Sequence, residues 1–182
     1  MQRPTDTLRR DHAITAVALS ALDGVGKHVA AGGEFPAADV ATLLRFLREF
    51  LLAVHLRKEN EAVCPAVAMR GDDAAAALVG ELMRMQEEVT ELVHSLVLFW
   101  EPVGELTPDE RRGFAETVAA LTARVLRMQE LEEQRLFPMC DAAIPADDQL
   151  DWVTNFSALD ADRGGAMAWG NCIGTLARRW SA

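Results

Sequence analysis

Tyrosine is absent from this sequence of 182 residues, and aromatic residues make up only 6% of it. Alternating β-branched residues, the pattern typical of half-buried strands, are almost absent as well, whereas Ala, Leu, Val, Met, Glu and Arg are abundant. These scarcities argue against a sheet-rich protein and favour the all-α class. At 19.9 kDa and 50% hydrophobic residues, the chain suits one compact domain, or one domain with an appendage.

Positive charge is also scarce, since 18 Lys and Arg residues face 28 Asp and Glu residues and leave a net charge of -10. Nucleic acid and anionic membrane surfaces would repel such a protein, so we expect neither as a partner. The polar start "MQRPTDTLRRDH" does not resemble a signal peptide, and no apolar run approaches the roughly 20 residues that span a bilayer. The sequence therefore predicts a cytoplasmic protein.

Cysteine is rare and unpatterned. Cys64, Cys140 and Cys172 are odd in number and lack the CxxC spacing, which argues against a disulfide framework or a structural zinc site. We expect three reduced thiols that pack in the core. The CxxCH motif of covalent haem attachment is missing too, so we interpret the methionines as core filler rather than as haem or copper ligands.

Three stretches rich in Gly, Pro or Asp divide the sequence: "AAGGEFP", "RGDDA" and "EPVGELTPDE". They leave four long helical stretches, at about residues 5–30, 38–68, 74–100 and 108–142. The fourth begins with Thr107 as N-cap, Pro108 at the first helical position and Glu110 completing a capping box. Short connections between helices of similar length predict an up-down-up-down antiparallel four-helix bundle over residues 1–142.

Each predicted helix carries apolar residues at intervals of three and four, such as Leu8, Ala16 and Leu19 on the first. Four polar residues interrupt these stripes and are spaced so that they point inward with the leucines. They are His12 on the first helix, His55 and Glu59 on the second, and Glu132 on the fourth.

The two halves of the sequence repeat each other once. The first half places its markers at Leu8, His12, His55, Glu59 and Pro65. The second half places Leu82, Gln86, Met128, Glu132 and Pro138 in the corresponding frame. Leu, Glu and Pro recur, whereas both histidines are substituted. Two helix pairs with the same pattern, packed antiparallel, would bring six inward positions to one level of the bundle. These positions are His12, His55, Glu59, Gln86, Met128 and Glu132.

Inward imidazoles and carboxylates need partners, because burying them unpaired costs several kcal/mol. His55 and Glu59 lie four residues apart on one helical face and can reach a common metal ion, with His12 as a third ligand. Imidazole and carboxylate without thiolate suit Fe(II) best, with Mn or Zn as alternatives. A second interpretation is a hydrogen-bonded network that only fixes the register of the helices.

The stretches "LRRDH", "HLRKENEAVCP" and "EEQRLFP" resemble the hemerythrin-like, HHE cation-binding family over about residues 5–140. The resemblance implies two non-haem irons bridged by carboxylates, in a protein that binds or senses dioxygen or handles peroxide or nitric oxide. It implies His12, His55 and Glu59 as ligands of one iron, with Glu59 and Glu132 in bridging positions.

The second half departs from the family pattern at Gln86 and Met128, where the family has histidines. A neutral amide is a weak ligand and a thioether is a soft one, so neither replaces imidazole on iron. We therefore expect at most one Fe per chain in the intact half, at a site similar to the sparse ligand set of mononuclear Fe(II) oxygenases. A weak second ion held by Glu132 and a nearby carboxylate is the alternative.

A shift of frame by one residue would offer other ligands in the second half. On the third helix Glu87 or Glu88 would replace Gln86, and on the fourth Gln129 would pair with Glu133. The in-frame Pro138 argues against this alternative.

Three functions are compatible with the pattern. The first is a metal-dependent protein that handles dioxygen, peroxide or a small oxidisable substrate, and whether it is a non-haem iron oxidoreductase or oxygenase stays open. The second is a repurposed bundle in which Glu59 or Glu132, with a pKa raised by burial, is a general acid or base toward a small organic molecule. The third is a binding or sensing module whose tail meets a partner.

Several charged residues near these positions have simpler interpretations. His28 lies at the end of the first predicted helix, beside a Gly-rich loop, where it can cap carbonyls. His94 lies two turns, about 12 Å, beyond Gln86 and is out of reach of a shared ion. We expect Arg57, Lys58 and Glu61 to face water.

Residues 143–182 form a C-terminal helical extension with two short helical patterns separated by "DADRGG". The second pattern places Trp169, Ile173, Leu176 and Trp180 on one stripe that needs cover. It can pack back on the bundle, roof a pocket, or form the seam of a homodimer. If it roofs the site, the pocket walls are Trp152, Phe156 and Trp169.

Overall fold

The computed structural model describes residues 3–100 and 105–180, and this part of the chain forms six helices and no strand. The helices are α1 (Pro4–Ala30), α2 (37–70), α3 (Asp73–Trp100), α4 (108–143), α5 (Ala146–Arg163) and α6 (Ala166–Trp180). The all-α class is confirmed, and the bounds of the four long helices lie within two residues of the predicted ones. Within the described ranges, no helix is both long and apolar enough to cross a bilayer.

Helices α2 and α4 change their winding without breaking. Helix α2 consists of Ala37–Phe46, a π-helical segment Leu47–His55, Leu56–Lys58, a second π-helical segment Glu59–Val63, and Cys64–Arg70. Helix α4 consists of Pro108–Leu131, the π-helical segment Glu132–Leu136, and Phe137–Ala143. The residues at these junctions keep right-handed helical backbone angles, so α2 and α4 are each one continuous helix.

The repeat in the sequence is also a repeat of the backbone. In both halves a five-residue π-helical segment begins at the inward glutamate, Glu59 or Glu132. A seven-residue α-helical segment follows, with Pro65 or Pro138 at its second position. A proline inside a helix removes a backbone donor and crowds the carbonyl four residues earlier, which favours a wider turn before it. The proline in each half therefore accounts for the altered winding at the glutamate.

The start of α4 has the predicted capping box. The hydroxyl of Thr107 accepts from the backbone N–H of Glu110 at 3.3 Å, and the carboxylate of Glu110 accepts from the backbone N–H of Thr107 at 2.7 Å. These bonds satisfy two donors that a helix start leaves unpaired. The prediction of this helix start is confirmed.

The core follows the predicted stripes except at one position on α1. Ala16 is exposed, and the inward positions near it are Thr15 and Ala18. Each helical residue turns the chain by about 100°, so Ala16, eight residues beyond Leu8, lies about 80° off the face of Leu8. The prediction for Ala16 was therefore wrong, whereas Leu8 and Leu19 are buried as expected.

Helix α1 packs along α4 and α6, and α3 packs against α4. Near the start of α1, Arg3 and Thr5 contact Asp141 close to the end of α4, at 3.1 and 2.8 Å. Near the end of α1, Gly26 faces Val118 in the first half of α4. Opposite ends of these two helices therefore lie side by side.

The C-terminal helices contact the bundle through aromatic residues. Trp169 packs edge-on against Phe46 with ring centroids 5.5 Å apart, and the guanidinium of Arg45 lies 5.2 Å from the Trp169 ring. The indole of Trp180 donates to Asp39 at 2.8 Å. The apolar stripe of α6 thus lies against the bundle. A homodimer and a division of the chain into 1–142 and 143–182 stay predictions.

All three cysteines are free, and two of them are buried. Burial raises the pKa of the Cys140 thiol to about 12 and that of Cys64 still further, so neither is a reactive thiolate. Cys172 is exposed on α6, so the prediction that it packs in the core was wrong. Cys172 and the preceding Asn171 lie on the exposed face of α6, whereas Ile173 lies on its buried stripe.

Candidate metal centre

Four polar side chains from three helices meet in the interior. They are His12 on α1, His55 and Glu59 on α2, and Glu132 on α4. Each is at most 4% exposed, and one potential ligand atom from each lies within 4.8 Å of the others. The structure therefore brings together all four residues that the sequence placed at one level, and their role as metal ligands stays a prediction.

The imidazole of His12 is held between two carboxylates. Its Nδ1 lies 2.8 Å from Oε1 of Glu133 at the protein surface, and its Nε2 lies 3.1 Å from Oε2 of Glu132 inside the cluster. Phe137 stacks on the ring with centroids 5.3 Å apart. A carboxylate at Nδ1 favours the tautomer with hydrogen on that nitrogen, which leaves the Nε2 lone pair directed inward.

His55 has the same arrangement on the other side of the cluster. Its Nδ1 lies 3.5 Å from Oδ2 of Asp11, and its Nε2 lies 3.7 Å from Oε1 of Glu59. The rings of His12 and His55 meet edge-on at 5.0 Å. Each imidazole thus turns Nδ1 toward an outer carboxylate and Nε2 toward an inner one, which is the usual arrangement of a histidine that ligates a metal.

Most polar atoms of the cluster lack a hydrogen-bond partner among the described protein groups. These atoms are Nε2 of His12, both ring nitrogens of His55, Oε1 of Glu59 and both carboxylate oxygens of Glu132. Buried polar atoms are rarely left in this state, because each costs about 1–3 kcal/mol. They converge on one region and are all nitrogen and oxygen donors, so the donor set fits a cation.

The environment also changes the protonation of these groups. Burial raises the pKa of Glu132 to about 7, and burial together with the Glu132 charge raises the pKa of Glu59. Burial lowers the pKa of His12, although Glu133 opposes this shift. The histidine is therefore in its neutral, ligating form at neutral pH, while the carboxyls hold protons more tightly than ordinary glutamates do.

The two substituted positions of the second half are both buried. The amide of Gln86 donates to Oε2 of Glu59 at 2.9 Å, so Gln86 supports a carboxylate of the cluster. Met128 is fully buried in the core. The structure thus places the amide beside the cluster as a hydrogen-bond donor.

The shifted frame on α3 is wrong. Glu87 and Glu88 are exposed, and Glu88 pairs with Arg124 at 2.6 Å. On α4, Gln129 is buried, and Glu133 reaches only the outer nitrogen of His12. The in-frame residue is buried on both helices, as Gln86 on α3 and Met128 on α4, although on α4 Gln129 is buried as well.

Lys58 corrects another expectation, since it does not face water. It is 1% exposed, and its ammonium lies 2.9 Å from Oδ2 of Asp11 and 2.6 Å from Oδ1 of Asp160. Arg57 and Glu61, by contrast, are exposed and pair with each other at 2.7 Å.

Sequence reasoning missed the outer carboxylates. Asp11 is buried, and although burial itself raises its pKa, His55 and Lys58 outweigh that effect and lower it. Asp11 lies three residues after Leu8 on the same face, so its spacing could have identified it. Asp160 lies in α5, far from the motifs, and no spacing in the sequence connects it to them.

The residues predicted to form a pocket wall do not lie together. Trp152 and Phe156 line a cleft of about 460 Å³ between α2 and α5, whose lining includes Lys58 but none of the four cluster residues. Trp169 packs against Phe46 instead. Their role as walls of a substrate pocket stays a prediction.

The two remaining histidines lie outside the cluster. His28 contacts the carbonyl oxygen of Glu34 through Nε2 at 3.0 Å, in agreement with its predicted structural role. His94 is exposed and lines an open cleft of about 800 Å³ between α2 and α3, together with Gln86. Neither histidine belongs to the group that can hold a metal ion.

The fold and the buried His/Glu cluster define a helical protein with a candidate cation-binding site. Residues 3–140 match the family model described as the Hemerythrin HHE cation binding domain, and the chain belongs to this family. A comparison with curated proteins and one with solved structures found no match. Helices α5 and α6 lie beyond the matched residues.

Proposed function

We propose that the protein binds one iron ion per chain at His12, His55, Glu59 and Glu132, and that it handles dioxygen, peroxide or a small oxidisable substrate there. The observation that carries this proposal is the convergence of four buried donors within 4.8 Å of one another. Two imidazoles and two carboxylates suit Fe(II) best, while Mn and Zn fit the same donors less selectively.

The proposed architecture is the up-down-up-down antiparallel bundle. The contacts of Arg3 with Asp141 and of Gly26 with Val118 support an antiparallel α1 and α4. Short connections between consecutive helices support the same relation for the other pairs. We expect the protein to be cytoplasmic, as its composition predicts.

A single ion is proposed because only one half supplies imidazoles. Gln86 and Met128 occupy the positions where the other half has His12 and His55. The amide of Gln86 already donates to Oε2 of Glu59, which reduces the capacity of that oxygen to bridge to a second ion. A second cation would therefore find mainly carboxylate oxygens and bind weakly.

The residues around the cluster would prepare it for redox chemistry. When bound, iron supplies the one-electron chemistry that dioxygen and peroxide require. Glu133 and Asp11 hold the two imidazoles in orientation, and Phe137 covers the His12 ring. Burial excludes bulk water from the cluster, and because the pKa values of Glu59 and Glu132 are raised, iron binding would release protons from these carboxyls.

Metal analysis tests this proposal. Protein loaded anaerobically with Fe(II) and then desalted is expected to hold about one iron per chain, because the second half lacks imidazole ligands. His55→Ala should abolish this iron. His94→Ala is the matched control, since His94 is an exposed histidine outside the cluster. Loss of iron in both variants, or no uptake by the parent protein, would contradict the proposal.

A second candidate function uses the carboxyls without metal. Glu132, with a pKa of about 7, is suited to exchange protons with a bound organic molecule near neutral pH. This function predicts that small molecules bind to chelator-treated protein and that Glu132→Gln removes the pH dependence of that binding. A ligand that binds only after iron is restored would exclude this candidate.

A further inference from the structure

A chain of charged residues connects α5 to the cluster. Asp160 on α5 lies 2.6 Å from the ammonium of Lys58, and the same ammonium lies 2.9 Å from Oδ2 of Asp11. That oxygen in turn lies 3.5 Å from Nδ1 of His55. The chain thus runs from a helix beyond the matched family residues to one of the two imidazoles of the cluster.

Lys58 depends on both aspartates. Its side chain is fully buried, and a buried ammonium is costly unless it is paired. The ammonium donates a hydrogen bond to Oδ2 of Asp11, whereas its contact with Oδ1 of Asp160 is an ion pair without hydrogen-bond geometry. The ring of Phe156, also on α5, lies 5.8 Å from the ammonium and adds a cation–π contact. Helix α5 therefore supplies one of the two anions and the aromatic face that hold this lysine in place.

Asp11 depends on Lys58 in the same way. Its Oδ2 is shared between Lys58 and His55, and its Oδ1 has no hydrogen-bond partner among the residues that the structure describes. Glu133, which contacts the other imidazole, is 48% exposed. His55 is completely buried, so water cannot substitute for Asp11 beside it.

We propose that Asp160, acting through Lys58 and Asp11, is a positioning residue for the His55 ring, so that helix α5 is part of the metal-binding unit. This inference rests on the proposed function, in which His55 ligates the metal. Outer partners of a ligating imidazole fix its orientation and tautomer, and their loss weakens metal binding about 10–100-fold. Asp160 is separated from the imidazole by Lys58 and Asp11, so we expect its loss to weaken metal binding by the lower end of that range.

The first test measures the affinity for Co(II) by competition with a chromophoric chelator. Asp160→Asn is expected to weaken Co(II) binding about tenfold, and Asp11→Asn more strongly. Asp162→Asn is the matched control, because Asp162 lies on the same helix but is exposed and pairs with its neighbour Arg163. Unchanged affinity in Asp160→Asn would overturn the proposal.

A second variant separates positioning from simple docking of α5. The double variant Lys58→Met, Asp160→Leu replaces the ion pair by apolar side chains, which can restore the packing of the helix. Its affinity for Co(II) should stay low even if its Tm returns to that of the parent, because Asp11 has lost its partner. Recovery of affinity together with Tm would show that the ion pair only docks α5, and would overturn the proposal.

A metal-free readout keeps this inference separate from the proposed function. Long-range ¹⁵N spectra of the imidazoles, at a pH where both are neutral, should show His55 as one tautomer with hydrogen on Nδ1 in the parent protein. Asp160→Asn should give a mixture of tautomers, and Asp162→Asn should not. If the parent protein takes up neither Fe(II) nor Co(II), the proposed function fails, and these spectra alone decide the positioning role.

Discussion

The amide nitrogen of Gln86 lies 2.9 Å from Oε2 of Glu59, and both side chains are buried. The family pattern has a histidine at the position of Gln86, so this contact replaces a potential ligand by a hydrogen-bond donor. The amide satisfies one carboxylate oxygen of the cluster, while Oε1 of the same carboxylate lies 3.7 Å from Nε2 of His55. Gln86, which belongs to the second half of the repeat, therefore stabilises a carboxylate of the first half.

Replacing Gln86 by leucine should destabilise the metal-free protein. The substitution keeps much of the volume but leaves Oε2 of Glu59 unpaired in the interior, at a cost of about 1–3 kcal/mol. Urea unfolding followed by circular dichroism measures the change. Gln134→Leu is the control, since Gln134 is an exposed glutamine on α4 whose loss should cost less than about 0.5 kcal/mol. Equal losses in both variants would contradict a specific role for Gln86.

The metal-free protein should lose stability as the pH rises from about 4.5 to about 7. The folded-state pKa of Glu132 is raised from 4.5 to about 7, so the native state binds more protons than the unfolded state in this window. Its stability therefore falls with increasing pH, on the order of 3 kcal/mol over the window for one such group, and levels off above it. Glu59, whose pKa is also raised, acts in the same direction. His12, whose pKa is lowered by burial, acts in the opposite direction in the upper part of the window, but it is one group against two carboxyls.

Urea unfolding at several pH values in the presence of a chelator measures this dependence. Glu132→Gln is expected to flatten the profile, because the glutamine cannot be deprotonated. Glu116→Gln removes an exposed glutamate from the same helix and should leave the slope unchanged. Because His12 also titrates differently in the folded state, the decisive quantity is the difference in slope between the parent protein and Glu132→Gln. Equal slopes would show that Glu132 is ionised in the folded state.

Restoring histidines in the second half should increase the metal capacity. In the double variant Gln86→His, Met128→His, both halves carry the same inward residues, and the backbone windings at Glu59 and Glu132 already correspond. We expect it to bind about two Co(II) ions per chain where the parent binds about one, since imidazole is a far better ligand than amide or thioether. Elemental analysis after desalting gives the ratio.

The control for this gain is the variant Gln86→His, Met69→His. Met69 lies on α2, is 80% exposed, and does not correspond to a histidine of the first half. It adds the same number of imidazoles without completing the repeat. Equal metal capacity in the two double variants would show that the repeat frame does not define a second site.

The sequence was sufficient to predict the four long helices and the convergence of the cluster, because both follow from local periodicity. His12, His55, Glu59 and Glu132 each interrupt an apolar stripe at helical spacing, and a repeat fixed their common level. The spacing of these residues along each apolar stripe is a local feature that can be read within a few turns of one helix. The burial of every cluster residue then follows from the burial of the leucines on the same faces.

The partners of the cluster could not be predicted in the same way. Lys58 was expected in water, yet it is buried between Asp11 and Asp160, which lie 47 and 102 positions away in the chain. Charge and spacing say little about pairs that tertiary packing brings together. The π-helical segment at Glu59 was also missed, since it depends on how a proline is accommodated inside a long helix.

The packing of α6 gives the last prediction, which concerns the proposed division of the chain at residue 142. Ile173 is completely buried between α6 and the bundle, so Ile173→Ala should cost about 2–5 kcal/mol. Met167 on the same helix is 93% exposed, and Met167→Ala should leave stability unchanged. If α6 and the bundle share one core, thermal unfolding of Ile173→Ala stays a single transition at lower Tm. An early separate transition, with the remainder melting as in the parent protein, would show instead that residues 143–182 fold as an appendage of an independent bundle.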